Sequence, residues 1–203
     1  STCRDRREIG ARSARDRREI THARALPLRY PAQEELLAKL DVAAHVDLMH
    51  AMSYDQRGKY STWEYAEKVA AQGIAKLPAE QLTLGLPFYG RHVASGEWKT
   101  YEDLAQKHAP LSPSANEAGG YFFNGPELIA RKTAHARELG MGGVMIWEVG
   151  QDCRLSAVTR GGTTHGVTCP GGEESALLTA VRRGASGGHA VKKGHATGLK
   201  AEL

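Results

Sequence analysis

Three short apolar runs, His45 to Asp55, Leu82 to Arg91 and Gly142 to Glu148, constrain this chain more than any other feature, because each closes on an aromatic residue with an ionisable one beside it. The last is the sharpest. Two glycines lead into Val144-Met145-Ile146-Trp147, and Glu148, Val149, Gly150, Gln151 and Asp152 follow. Such a run reads as a strand buried on both faces that delivers an aromatic and an acid at its C-terminal end. The other two runs end on Tyr54 with Asp55 and on Tyr89 with Arg91.

Amphipathic segments separate the runs. In Gln33 to Leu40 the leucines recur at helical spacing, after an Ala25-Leu26-Pro27-Leu28 that reads as the remnant of a strand. Ser61 and Glu64 have capping-box spacing ahead of Trp63, Ala66, Val69, Ala70 and Ile74, and Pro78 limits that helix. Asn124 reads as the N-cap of a third helix, with Pro126 in its first turn, Leu128, Ile129, Ala136 and Leu139 as its buried stripe, and Gly140 at its close. This alternation, with strands apolar throughout, predicts an α/β fold on a parallel sheet or barrel. Loops that follow parallel strands emerge on one side, so the three polar strand ends converge on one mouth.

The rest of the chain is framed by its ends. The 203 residues are 41% hydrophobic and 25% charged, which suits one globular core, and no apolar run reaches the roughly 20 residues of a membrane helix. The net charge of +4 resides at the termini. Residues 1–22 carry an imperfect repeat, Arg4 to Ile9 and Arg15 to Ile20, whose interleaved acids cancel much of the field that phosphate binding needs. The chain opens without Met and on arginines where a signal peptide would be apolar, so no export signal is visible. Residues 93–123, polar and rich in Gly and Pro with a short helix at Tyr101 to Lys107, read as an insertion on the loop side. A last helix is expected from Glu173 to Arg183, and residues 184–203 as a flexible basic tail. Cys3, Cys153 and Cys169 form no metal motif; a Cys153–Cys169 bridge, about 3 kcal/mol if closed, is left open by spacing alone.

At the three strand ends the sequence resembles glycoside hydrolase family 18, the chitinase family. Met52-Ser53-Tyr54-Asp55 is similar to its Met-x-Tyr-Asp at the sixth barrel strand, and Gly85-Leu86-Pro87-Phe88-Tyr89-Gly90-Arg91 to its Gly-x-Pro-x-Tyr-Gly-Arg at the seventh. Gly143-Val144-Met145-Ile146-Trp147 is similar to its Gly-x-Met-x-Trp at the eighth. The resemblance implies a partial (β/α)8 barrel over residues 23–183, roughly the last three or four βα units, with the 93–123 insertion between the seventh strand and its helix. It implies that Trp147 is a hydrophobic floor for a pyranose, that Tyr54 bonds the N-acetyl group and Asp55 the sugar, that Met52 packs beneath them, and that Tyr89 and Arg91 line the site.

The family cleaves β-1,4 bonds of N-acetylglucosamine polymers by a substrate-assisted, retaining route in which one glutamic acid protonates the leaving oxygen. That acid belongs to an Asp-x-x-Asp-x-Asp-x-Glu motif, and no set of acids ahead of Met52 has its spacing. A complete barrel also takes about 250 residues. The first expectation is therefore the C-terminal part of a chitinase-type enzyme, inactive alone, its acid lost to truncation or to an error in the gene's reading. The alternative is a non-catalytic, chitinase-like saccharide binder. Either reading implies chitin or N-acetylglucosamine oligosaccharides as partner, no nucleic acid, no membrane insertion, no cofactor or metal, and a monomer when intact. The resemblance also implies a secreted or secretory-pathway protein, where the terminal Lys200-Ala201-Glu202-Leu203 would be similar to a retention address.

Overall fold

The structure is a computed structural model that describes residues 24–28 and 33–187; the repeat at the N-terminus, Cys3 and the tail from residue 188 on lie outside the described residues. In chain order the elements are β1 (Ala25–Leu28), α1 (Gln33–Lys39), β2 (Leu48–Ala51), α2 (Trp63–Ile74), β3 (Leu82–Pro87), β4 (Tyr89–His92) and β5 (Trp98–Thr100). They continue with α3 (Tyr101–Lys107), β6 (Glu117–Ala118), β7 (Tyr121–Phe123), α4 (Pro126–Glu138), β8 (Gly143–Trp147), β9 (Val158–Arg160), β10 (Thr163–His165) and α5 (Leu177–Ala185).

Four strands form a parallel sheet in the order β1-β2-β3-β8. Strand β3 is central and wholly buried. Its alternation sorts the sheet's two faces. Leu82, Leu84 and Leu86 join Met49, Ala51, Val144 and Ile146 under α2 and α4, where Ala66, Ala70, Ile129 and Ala136 meet them. Each fully buried leucine there stabilises the fold by about 2 kcal/mol. The opposite face carries Thr83, Gly85 and Pro87 in register with Gly143, Met145 and Trp147. On that face His50 Nδ1 lies 2.7 Å from Thr83 Oγ1, and burial holds the imidazole below its ordinary pKa.

Strand β8 departs from the sequence expectation. It is half-buried rather than enclosed on both faces, because among the described residues it is an edge strand with β3 as its pairing partner. The glycines before it have a steric role: Gly142 donates to the carbonyls of Ala79 and Leu82 at 2.9 Å, and a Cβ there would lie 2.3 Å from the Glu80 carbonyl oxygen. Gly143 adopts φ 132°, which side chains rarely tolerate.

The run from Leu82 to Arg91 is two strands rather than one. Phe88 divides it, fully buried, its N–H donating to the Trp147 carbonyl at 2.8 Å. Beyond it β4 leaves the parallel sheet and enters an antiparallel one ordered β5-β4-β7-β6. Helix α3 follows β5, with Thr100 Oγ1 accepting the Asp103 N–H at 3.0 Å.

Two caps also differ from the spacing argument. Thr62, not Ser61, caps α2 through the Tyr65 N–H, and Gly125, not Asn124, occupies the N-cap of α4. Ser61 and Asn124 are both buried and bond each other instead. At the far end Cys153 and Cys169 form a disulfide with Cα atoms 4.9 Å apart, enclosing the β9–β10 hairpin. The last helix starts later than Glu173: a 3-10 turn spans Gly172–Glu174, and α5 begins at Leu177. Asp152 caps it from a distance, accepting the N–H groups of Cys153, Leu177 and Leu178 at 2.9, 3.0 and 2.8 Å. Burial raises the Asp152 carboxyl against the pull of those three donors. We expect the double substitution Cys153→Ser, Cys169→Ser to lower the unfolding free energy by about 3 kcal/mol in equilibrium urea denaturation. A change below about 0.5 kcal/mol would show that the Asp152 cap alone secures α5.

Candidate functional site

The loop between β2 and α2 holds the first group of site residues. Met52 leaves the strand half-buried, Tyr54 is buried, and Asp55 takes a left-handed φ of 69° that Asp tolerates better than most residues. That turn is why the expected strand from His45 to Asp55 shortens to Leu48–Ala51. Gly85 on β3 makes room for Tyr54: an added Cβ would lie 2.9 Å from the tyrosine ring and 2.9 Å from the Ala51 carbonyl oxygen.

Strand β4 supplies the second group. Tyr89 donates its hydroxyl to Asp55 Oδ1 at 2.8 Å, and Arg91 Nη1 reaches the same oxygen at 3.3 Å. Burial first, and the bond to Asp55 second, push the Tyr89 phenol far above its ordinary pKa, so it remains a donor. Arg91 also donates from Nε to the Gly96 carbonyl at 3.3 Å. The Tyr54 and Tyr89 rings meet edge to face with centroids 6.2 Å apart. Met52 and Met145 pack against the cluster they form with Tyr60 and Phe122. A cleft of about 380 Å³ opens beside this network, lined by Asp55 to Gly58 on one side and Arg91 to Gly96 on the other.

Trp147 stands at the end of β8, in register with Pro87 and on the sheet face that also carries Gly85 and Met145. It is 55% exposed, which leaves the indole open to a ligand. Glu148 is exposed too, and its carboxylate accepts from Gln151 Nε2 at 3.2 Å. The structure thus joins Tyr54, Asp55, Tyr89 and Arg91 in one contact network, sets Met52 beneath it, and places Trp147 on the neighbouring strand end.

Three residues at the site were not singled out from the sequence. Tyr60 is fully buried, donates its hydroxyl to the Tyr89 carbonyl and stacks on the Tyr89 ring at 4.9 Å and 28°. Trp98, 61% exposed, lies opposite Arg91 in the β4–β5 ladder. Lys132, on α4, is fully buried. Its Nζ donates to the Ser61 carbonyl at 2.9 Å, to Ser61 Oγ at 2.9 Å and to Asn124 Oδ1 at 2.6 Å. A signal for Lys132 was present: it lies three residues after Ile129 and four before Ala136, on the buried stripe.

A parallel sheet covered by helices on one face, with polar and aromatic side chains gathered at the C-terminal ends of its strands, is the arrangement that recurs in barrel-type α/β folds. The family model for glycosyl hydrolases family 18 matches residues 12–152, and the chain belongs to that family. Among solved structures, the family 18 chitinase ChiB of Flavobacterium johnsoniae matches at 25% identity and a TM-score of 0.58, over 80% of this chain and 49% of its own. A chitinase of Bacteroides thetaiotaomicron matches at 19% identity and a TM-score of 0.60, over 82% of this chain and 53% of its own. Catalytic domain 2 of an Ostrinia furnacalis Group II chitinase, solved as a mutant with a penta-N-acetyl chitooligosaccharide, matches at 15% and 0.54, over 82% and 55%. The chain spans about half the length of the chitinases it resembles.

Burial holds the Lys132 amine down at about 7, from an ordinary 10.5, with the carboxylate of Glu64 acting weakly the other way. Below the folded value both states carry the proton and the cost of burying the charge is felt in full. Between the folded and the ordinary value the unfolded chain binds the extra proton, so stability rises with pH. Relative to Lys132→Met, the wild-type chain should gain about 2 kcal/mol in unfolding free energy between about pH 7 and about pH 9. Parallel pH profiles for the two proteins, from urea denaturation, would show that the amine is not so perturbed.

Proposed function

We propose that this chain is the saccharide-holding C-terminal portion of a chitinase-type barrel, contributing roughly the last three or four βα units, and that its ligand is a β-1,4-linked N-acetylglucosamine oligomer. The Asp55–Tyr89–Arg91 network, with the exposed Trp147 on the strand end paired to Pro87, carries this reading. A pyranose presents an apolar C–H face that stacks on an indole and equatorial polar groups that need fixed partners at the ring edge. Tyr89 and Arg91 hold the Asp55 carboxylate in one orientation, so it meets a sugar hydroxyl without first being ordered. Tyr54, set by Gly85, is the partner for the N-acetyl group, and Met52 supports it from below.

Hydrolysis by the substrate-assisted route needs a carboxylic acid to protonate the leaving oxygen while the acetamido oxygen attacks the anomeric carbon. The sequence has no Asp-x-x-Asp-x-Asp-x-Glu spacing. Tyr89 cannot stand in, since its phenol is held too basic to give up a proton near neutral pH. The residues present therefore bind and orient; cleavage requires an acid from elsewhere in a barrel.

Isothermal calorimetry with a penta-N-acetylglucosamine oligomer tests this. The chain should bind it and release no product over hours, and Trp147→Ala should weaken binding by about tenfold or more. No measurable binding by the wild-type chain would overturn the reading.

A further inference from the structure

Tyr54 and Asp55 sit on a loop with no regular structure of its own from Met52 to Ser61, so something outside the loop must hold it. A chain of buried hydrogen bonds does so. Ser61 Oγ donates to the Ser53 carbonyl at 2.8 Å and closes the stem of the loop. Ser53 Oγ donates to the Gly85 carbonyl at 2.7 Å and ties that stem to β3. Within the loop the Gln56 N–H reaches the Tyr60 carbonyl at 3.2 Å.

Lys132 lies at the root of this chain. Its ammonium has three N–H donors, and three acceptors lie within 3 Å of it: the carbonyl and hydroxyl of Ser61 and the side-chain oxygen of Asn124. Asn124 closes the arrangement by donating from Nδ2 to the same Ser61 carbonyl at 2.8 Å. Because Lys132 donates to Ser61 Oγ while that hydroxyl donates onward, the ammonium polarises the bond to the Ser53 carbonyl, one residue from Tyr54 and two from Asp55.

Stability alone does not explain the choice of residue. The three partners are neutral, and the charged group that acts on Lys132, Glu64 at the start of α2, is exposed and bonds its own backbone and Thr62. A charge buried without an opposite charge costs the fold, whereas a methionine of similar volume would avoid that cost but leave the buried acceptors of Ser61 and Asn124 without this donor. What the lysine adds is two directed bonds into one loop and a third to Asn124, which itself bonds the Ser61 carbonyl.

We propose that Lys132 is a positioning residue for saccharide binding: through Ser61 it holds the 52–61 loop in the conformation that places Tyr54 and Asp55 beside the cleft. The choice of ligand rests on the saccharide reading above; the effect on the loop does not. Amide hydrogen exchange and calorimetry with the penta-N-acetylglucosamine oligomer, on the full chain and on Lys132→Met, test it. In the variant the amides of residues 54–61 should exchange at least about tenfold faster while those of β3 keep their protection, and affinity should fall by about tenfold, the scale of one charge-assisted hydrogen bond. Wild-type affinity should also fall as pH rises from about 6 to about 9, where the amine loses its third donor, and the variant's should not. A folded variant with unchanged loop exchange and affinity overturns the proposal, and so does one in which loop and β3 lose protection alike. Should Lys132→Met fail to fold, Ser61→Ala decides by the same two readouts, since it cuts the link to Ser53 and leaves the lysine in place. A wild-type chain that does not bind the oligomer overturns the saccharide reading alone, and loop exchange still decides for Lys132.

Discussion

The parallel pairing of β3 with β2 on one side and β8 on the other is the constraint from which the site follows. Its register sends Leu82, Leu84 and Leu86 under the helices and leaves Thr83, Gly85 and Pro87 on the face shared with His50, Met145 and Trp147. A slip of one residue would exchange these sets and take three leucines out from under the helices, leaving Thr83, Gly85 and Pro87 to fill their places. Because all of these strands run the same way, their C-terminal ends release Tyr54, Tyr89 and Trp147 at one level. The hydrogen bond between Tyr89 and Asp55 therefore reports on the sheet as much as on the loops that carry it.

The site itself is a balance of held charges. Asp55 and Arg91 are part-exposed and contribute little to stability as an ion pair. Their value lies in orientation, which Tyr89 fixes from a buried position and Tyr60 fixes in turn by stacking on it. Lys132 inverts the pattern, with a charge fully inside the protein and only neutral partners. The first arrangement costs little and fixes an exposed carboxylate; the second costs more and, in the reading proposed above, fixes the loop that carries it.

Much of this was legible in the sequence, and the parts that were not share a cause. The alternation of apolar runs with amphipathic segments gave the α/β class, and motif resemblance pointed to a family that the family match then established. Local spacing failed where a side chain had two possible partners. Ser61 and Asn124 look like helix caps because both types cap helices well, yet a buried lysine 71 residues from Ser61 outbids the helix ends for them. The apolar run before Trp147 predicts an enclosed strand, but enclosure depends on which strand lies beyond β8, and a run of residues carries no record of its neighbours. Tyr60 and Ser61 take their roles from partners distant along the chain, Tyr89 and Lys132, which no local pattern records.

The central claim is that the strand ends of β2, β4 and β8 form one saccharide site, and it is tested most directly by nuclear magnetic resonance titration with an N-acetylglucosamine oligomer. The chain has three indoles, Trp63, Trp98 and Trp147. Saturating the wild-type protein should shift the Trp147 indole N–H together with backbone amides of residues 54–58 and 89–96, leaving Trp63, stacked under Arg131 between α2 and α4, unmoved. Shifts confined to one of those segments, or a Trp147 signal indifferent to the sugar, would contradict the account.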